Sequence, residues 1–391
     1  MSSPAPAARI DALERRYLSG TFAELCRIES PSLKERACAE RVTAELRAIG
    51  IETHEDDAGE KIGADCGNLL ARIPAGRPRR GSLMLCAHLD TVPLSAPVDP
   101  VLVDGGWENS NEAILGADNK AAVAVLLALA RHVASVGCDL DLELLFTVGE
   151  EIALAGANEF DASVLQSDYG YVFDHASPIG EVIMDSPCHY RLKADFHGVA
   201  AHAGIRPEDG RSAILAAAKA LASLRHGRID GEGTVNIGTI SGGSAINVVA
   251  ERCSVTAEVR GVDDEHGEAL VQEIVERIHR AANLPECDCD VDVDVQRTFA
   301  GYRQSPSHPS MRAAEAALRR CGHEPVLVSS GGGSDANALI VKGFQTVNLA
   351  NGTERNHEPG ERVSVQALDE MLEVVIVLLD EVAALAAPAG L

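Results

Sequence analysis

The sequence predicts an α/β protein: a mixed sheet with helices on its faces, interrupted by a separate α+β insert of ferredoxin-like type. Three observations carry this expectation. Short apolar runs alternate with an Ala- and Leu-rich helical segment through the first half of the chain, the order that lays helices against a largely parallel sheet. Between Cys188 and Thr298 the pattern becomes strand, helix, strand, strand, helix, strand, which suits a compact α+β body. At 391 residues the chain also exceeds what one hydrophobic core usually fills. The expected division is a first domain of residues 1–187 and 299–391, with residues 188–298 inserted.

Taken in order, residues 10–49 read as two amphipathic helices broken at Ser30-Pro31-Ser32. A Pro/Arg/Gly turn at 76–81 precedes an apolar run at 82–87 that leads into His88. Residues 121–134, free of Gly and Pro, read as a helix, and a second apolar run at 142–148 stops just before Glu150. A third, 169–173, leads into Asp174. Ligands of open α/β sheets collect at the carboxyl ends of strands, so three strand ends tipped with His, Glu and Asp mark the expected site. Within the insert, helices are expected at 212–224 and 265–282, and strands at 234–240, 253–259 and 289–296. A helix at 309–321, strands at 326–328 and 346–349 and a closing helix at 365–385 then return to the first domain.

Formal net charge is −25, from 59 acidic against 34 basic residues. Such a field repels phosphate backbones and argues against nucleic-acid binding. The ten cysteines form no regular framework, as expected of buried thiols in a reducing compartment. Cys287 and Cys289 flank one Asp rather than the two residues of a usual zinc pair, and no second pair completes a site. The amino-terminal stretch lacks a basic start followed by an apolar core, so no secretory signal is expected. No apolar run is expected to reach the length that spans a membrane. Together these features predict a soluble, cytoplasmic protein.

Five short motifs carry candidate chemistry. In CAHLDTVP, residues 86–93, His88 and Asp90 lie two apart and point the same way in an extended segment. A neutral imidazole is a good zinc ligand, and the carboxylate could fix its tautomer. In LGADNKAA, residues 115–122, Asp118 sits where the chain enters a helix; it could bridge two cations or simply cap the helix. In FTVGEEIALAGA, residues 146–157, Glu150 and Glu151 follow an apolar strand, where paired carboxylates are costly unless positive charge faces them. One could bind metal while the other takes a proton from water, or both could serve as first-turn helix acids. Asp174 closes an apolar strand, and His357 lies in the polar loop NGTERNHEPGER, residues 351–362. Together His88, Asp118, Glu151, Asp174 and His357 form a donor set suited to a pair of zinc, cobalt or manganese ions.

The order H-x-D, G-A-D-x-K, G-E-E, a strand-final Asp and a late loop His resembles the dinuclear zinc peptidases that include aminoacylases, glutamate carboxypeptidases, dipeptidases and tripeptidases. RIESPS at 27–32 and AHAG at 201–204 fit the same pattern, and SGGGSDAN at 330–337 is especially similar to the peptidase T-like branch. The resemblance implies that His88 and Asp174 bind one zinc ion, Glu151 and His357 a second, and that Asp118 bridges them. It implies Asp90 as the residue orienting His88, and Glu150 as the general base acting on a water shared by the metals. His202 resembles the insert histidine that reaches a neighbouring subunit's site, while Asn247 and Arg260 resemble groups holding the substrate's carboxylate or carbonyl.

The implied protein is a homodimer joined through the insert, which also serves as a lid, and it hydrolyses short peptides as a tripeptide aminopeptidase does. A deacylase of N-acyl amino acids, or a carboxypeptidase with the same metals, is the near alternative. A non-catalytic metal-binding or scaffold protein is the alternative of another class, and the full set of ligands and acids argues against it. Where many relatives read Asp-Asp-Lys, this chain has Asp118-Asn119-Lys120, which keeps the bridging carboxylate. His175 is read as lying behind the ligands or exposed. Nucleotide binding is not expected, because 331–333 lacks the lysine and spacing of a phosphate loop.

Overall fold

Four apolar runs form neighbouring parallel strands at the centre of one sheet in the computed structural model, which describes residues 10–76, 79–230 and 233–386. In sheet order they are Leu140–Thr147, Gly81–His88, Gly170–His175 and Thr346–Ala350. These strands are almost wholly buried, which is why they read as continuous apolar segments rather than alternating ones. Register sets His88 beside Thr147 and His175 beside Ala350, so all four carboxyl ends leave along one edge. Antiparallel strands flank this centre: Leu69–Ile73 and then Thr53–Glu55 on one side, Glu181–Ser186 on the other. The sequence reading placed none of these three. LLARI is too short to show a period, and EVIMDS carries acids near both ends.

Helix Ala117–Val136 packs on strand Gly81–His88 and on helices Ala12–Cys26 and Val365–Ala386. It corrects one expectation, because by length and composition it is apolar enough to cross a membrane. Its residues are buried without a break from Ala117 to Ala130, so it is the core helix of this unit. Its start also differs from a regular helix. Gly116 adopts a φ of 76°, a conformation that favours glycine, and Asp118 and Asn119 have non-helical dihedrals. Asp118 therefore rides on a turn ahead of the helix proper.

The chain divides into two compact units, the second being Ser186–Tyr302 with Gly331–Gly333. Five antiparallel strands form its sheet in the order Gly227–Ile229, Gly233–Gly242, Arg252–Gly261, Cys188–His197, Asp290–Phe299. Along Arg252–Gly261, the residues Cys253, Val255, Ala257 and Val259 are buried in alternation, the signature of a sheet covered on one face. Helices Ala213–Ser223 and Asp264–Ala282 supply that cover, the latter through Leu270, Ile274 and Ile278 at four-residue spacing. Ser212 and Asp263 cap their amino termini by accepting from Leu215 N and His266 N. Cys287 and Cys289 join this apolar core, and all ten cysteines are free thiols, nine of them buried. The turn expected at 76–81 falls partly, and residues 1–9 fall wholly, outside the described residues.

Candidate metal centre

The parallel edge of the first unit gathers every residue of the expected donor set. His88 ends its strand, Glu150 and Glu151 lie on a 3-10 turn just after Thr147, and Asp174 is the next-to-last residue of its own strand. His357 lies on the loop between Thr353–Glu354 and Arg362–Ser364, two short strands paired with each other. Donor atoms of His88, Asp118 and Asp174 lie within 4.8 Å of one another, and so do those of Asp118, Glu151 and His357. Asp118 belongs to both triads. Its Oδ1 is 3.3 Å from His88 Nε2 and its Oδ2 3.3 Å from His357 Nε2. Asp174 Oδ1 lies 3.7 Å from His88 Nε2, and Glu151 Oε1 lies 2.9 Å from His357 Nε2. Each oxygen of Asp118 thus faces a different triad, and Oδ2 accepts from Asn356 Nδ2 at 2.8 Å rather than capping the helix.

Electrostatics show why this cluster suits cations. Desolvation opposes charge on His88, yet Asp118, Asp174 and Asp90 outweigh it and raise its pKa well above the ordinary value. Burial likewise opposes ionisation of Asp118, but His357 and His88 outweigh it and hold the carboxyl below its usual range. Asp118 and Glu151 push His357 up to about 10. Burial raises Glu150, Glu151 and Asp174, with Asp174 adding to the effect on Glu150 and Asp118 to that on the other two. Crowded, desolvated carboxylates are relieved by positive charge. The two buried atoms that face each other, His88 Nε2 and Asp118 Oδ1, also have no hydrogen-bond partner among the described residues. Imidazoles and carboxylates in two triads joined by a shared carboxylate therefore fit a pair of divalent cations. Glu150 stays close by, in a further group with His88 and Glu151.

Several residues hold this arrangement from behind. Asp90 accepts from Glu150 N at 3.0 Å, Glu151 N at 3.1 Å and Ser32 Oγ at 2.8 Å. His88 Nδ1 meets the backbone oxygen of Asp90 at 3.0 Å and its Oδ1 at 3.4 Å. A proton on Nδ1 leaves the Nε2 lone pair free to ligate a cation in the triad. Glu35, wholly buried, accepts from Gly149 N at 3.0 Å. Asn348 pairs both ways with the backbone of Asp174, at 3.0 Å each. Glu361 accepts three backbone N–H groups around Asp118. Sequence reasoning missed Glu35, Asn348, Asn356 and Glu361. Asn356 and Glu361 do lie in a motif already singled out, but nothing local separates a buried loop acid from a surface one. His175 pairs with Glu181 at 2.9 Å, and Asn119 is fully buried with both amide atoms unpartnered among the described residues.

The substrate-binding candidates belong to the second unit. His202 and Asn247 are exposed on adjoining segments: Ala203 N donates to Asn247 O at 2.9 Å, and His202 bridges Val248. Arg260 does not join them. Its guanidinium donates to Gly331 O at 2.8 Å and faces Glu258 at 3.4 Å.

Residues 188–283 match the peptidase dimerisation domain of the M20 type, and residues 68–175 match peptidase family M28. The crystal structure of aminopeptidase PepT from Bacillus cereus superposes with a TM-score of 0.86 at 34% identity, covering 94% of this chain and 99% of that one. A tripeptidase from Staphylococcus aureus gives 0.89 at 29% identity, over 95% and 99% of the two chains. The uncharacterized protein YqjE from Bacillus subtilis is 32% identical over 371 residues, 95% of this chain and 99% of its own length. By this likeness along almost its whole length, the chain belongs to the metallopeptidase family of aminopeptidase PepT and the M20 peptidases.

Proposed function

We propose that this chain is a dinuclear zinc peptidase that cleaves short peptides beside a free amino terminus, tripeptides foremost. The observation that carries the reading is the sharing of Asp118 between two triads. His88 and Asp174 would hold one ion, Glu151 and His357 the other, and Asp118 would serve both; cobalt or manganese would satisfy the same donors. When bound, the cations supply Lewis-acid activation of water and of the scissile carbonyl. Glu150 takes the proton from the attacking water and delivers it to the leaving amine. Asp90 presents Glu150 by accepting its backbone N–H, and keeps His88 oriented through the contacts at Nδ1. The substrate class rests on the likeness to an aminopeptidase and a tripeptidase.

In this reading the enzyme is a cytoplasmic homodimer joined through the second unit, His202 serves the neighbouring chain's site by steadying the developing oxyanion, and Asn247 holds the substrate's carboxylate or carbonyl. Two observations support it. The second unit matches a peptidase dimerisation domain. Within that unit, His202 follows His197, the strand residue paired with Arg252, whereas Arg260 lies toward the other end of strand Arg252–Gly261, about 25 Å from Arg252 at the usual rise per residue. That spacing along the strand suits a His202 that serves the site of a neighbouring copy. Arg260 has guanidinium N–H groups beyond those given to Glu258 and Gly331, and so keeps donors for a substrate carboxylate. Nine buried free thiols accord with a reducing compartment.

The test pairs metal content with hydrolysis. Wild-type protein purified without chelator is expected to carry two ions per chain and to hydrolyse tripeptides in preference to N-acyl amino acids. Glu150→Gln is expected to keep both ions while kcat falls by roughly 10²–10⁴. A preference for N-acyl amino acids, or for the carboxyl end of peptides, would move the reading to the deacylase or carboxypeptidase alternative. Undiminished hydrolysis by the variant would overturn the role of Glu150.

A further inference from the structure

Glu361 is a carboxylate of the centre that the ligand set and the proton path leave unused. It is 1% exposed. Its Oε2 accepts from Leu115 N and Gly116 N, both at 2.8 Å, and its Oε1 from Asp118 N at 2.9 Å. These donors surround Asp118 ahead of the first regular helical turn, where backbone N–H groups have no partner within the helix. A charged acceptor gives such donors stronger bonds than a neutral one. The loop that ends at Glu361 also carries Asn356, which donates to Asp118 Oδ2 at 2.8 Å, and His357, 3.3 Å from the same oxygen. One loop therefore braces Asp118 at both its backbone and its side chain.

We propose that Glu361 is a positioning residue: it fixes the backbone of Asp118 so that the two carboxylate oxygens face the two triads, and it thereby sets the affinity of the centre for its cations. The inference rests on the dinuclear reading above. Glu361 acts through Asp118 and touches neither the substrate nor the ions. Replacing groups that hold metal ligands from behind commonly weakens affinity by roughly 10–100-fold. Glu361→Gln preserves size but turns one acceptor oxygen into an N–H donor. Either Asp118 N or the Leu115 and Gly116 pair must then face a donor.

Cobalt titration of metal-free wild type and Glu361→Gln, followed by the d–d absorption bands, reads affinity and ligand geometry independently of activity. The variant is expected to keep a folded circular dichroism spectrum, bind cobalt roughly 10–100-fold more weakly and show altered bands. A reading that needs no variant is amide exchange of segment 113–119 in metal-free wild type. Slow exchange before cobalt is added is expected, because Glu361 rather than the ion holds those N–H groups. Fast exchange that slows only on cobalt binding would overturn the proposal, as would a variant that titrates like wild type with the same bands. A wild type that takes up no cobalt would overturn the dinuclear reading itself, and the inference with it.

Discussion

In the first unit, the groups of the candidate centre are packed into the sheet edge and held by other buried groups. His88 is 1% exposed, Asp90 and Glu35 are fully enclosed, and their carboxylates are tied to backbone N–H groups of the turn that presents Glu150. In the second unit, His202 and Asn247 lie on exposed segments, and Ile205, Ile240 and Ile246 leave large apolar side chains open. The first arrangement fixes geometry before any ligand arrives. The second leaves its polar and apolar side chains open to solvent. Substitutions in the first unit should therefore strike metal binding, and those in the second should strike substrate handling or association while leaving the metals in place.

The sharpest break of this contrast is Asp118→Ala. It removes the one carboxylate common to both triads, so hydrolysis is expected to fall to background and metal content to drop below two ions per chain, read by elemental analysis. Retention of both ions would detach Asp118 from the centre. Next in size is His202→Ala, expected to lower kcat by roughly 10²–10³, as loss of one oxyanion donor does, with metal content unchanged. Loss of metal in that variant would erase the division between the units. Chelation should then lower the melting temperature, because a ligand that binds only the folded form at one hundred times its dissociation constant adds about 2.7 kcal/mol. A melt indifferent to chelator would leave the crowded carboxylates without their proposed counter-charge. The smallest effect expected on folding is that of Ile246→Asp, within about 0.5 kcal/mol as for most surface changes. If the chain is the proposed dimer, sedimentation should show a shift from dimer toward monomer; an intact dimer would place the interface elsewhere.

What could be read from the sequence follows the same division. Buried parallel strands are continuous apolar runs with a polar residue at the end, so His88, Asp174 and the Glu150 turn could be found by where the runs stop. The alternation on Arg252–Gly261 and the four-residue spacing on Asp264–Ala282 were equally legible, because each element has one covered face. The supports were not. Glu35 and Glu361 are acids in polar segments, and their burial comes from contacts with residues 114 and about 245 positions away in the chain, which no local pattern records. Likewise, its local sequence left Asp118 open between a bridging ligand and a helix cap, and its dihedrals place it on a turn facing two histidines. Arg260 could be assigned by resemblance, but its bond to Gly331 depends on a loop seventy-one positions away.

Two cations that share Asp118 would be magnetically coupled, and loading metal-free protein with manganese reads that coupling. Electron paramagnetic resonance should show an exchange-coupled pair as the second equivalent binds, with peptide hydrolysis appearing alongside it. An isolated six-line signal saturating at one ion per chain, or hydrolysis that persists without metal, would contradict the account.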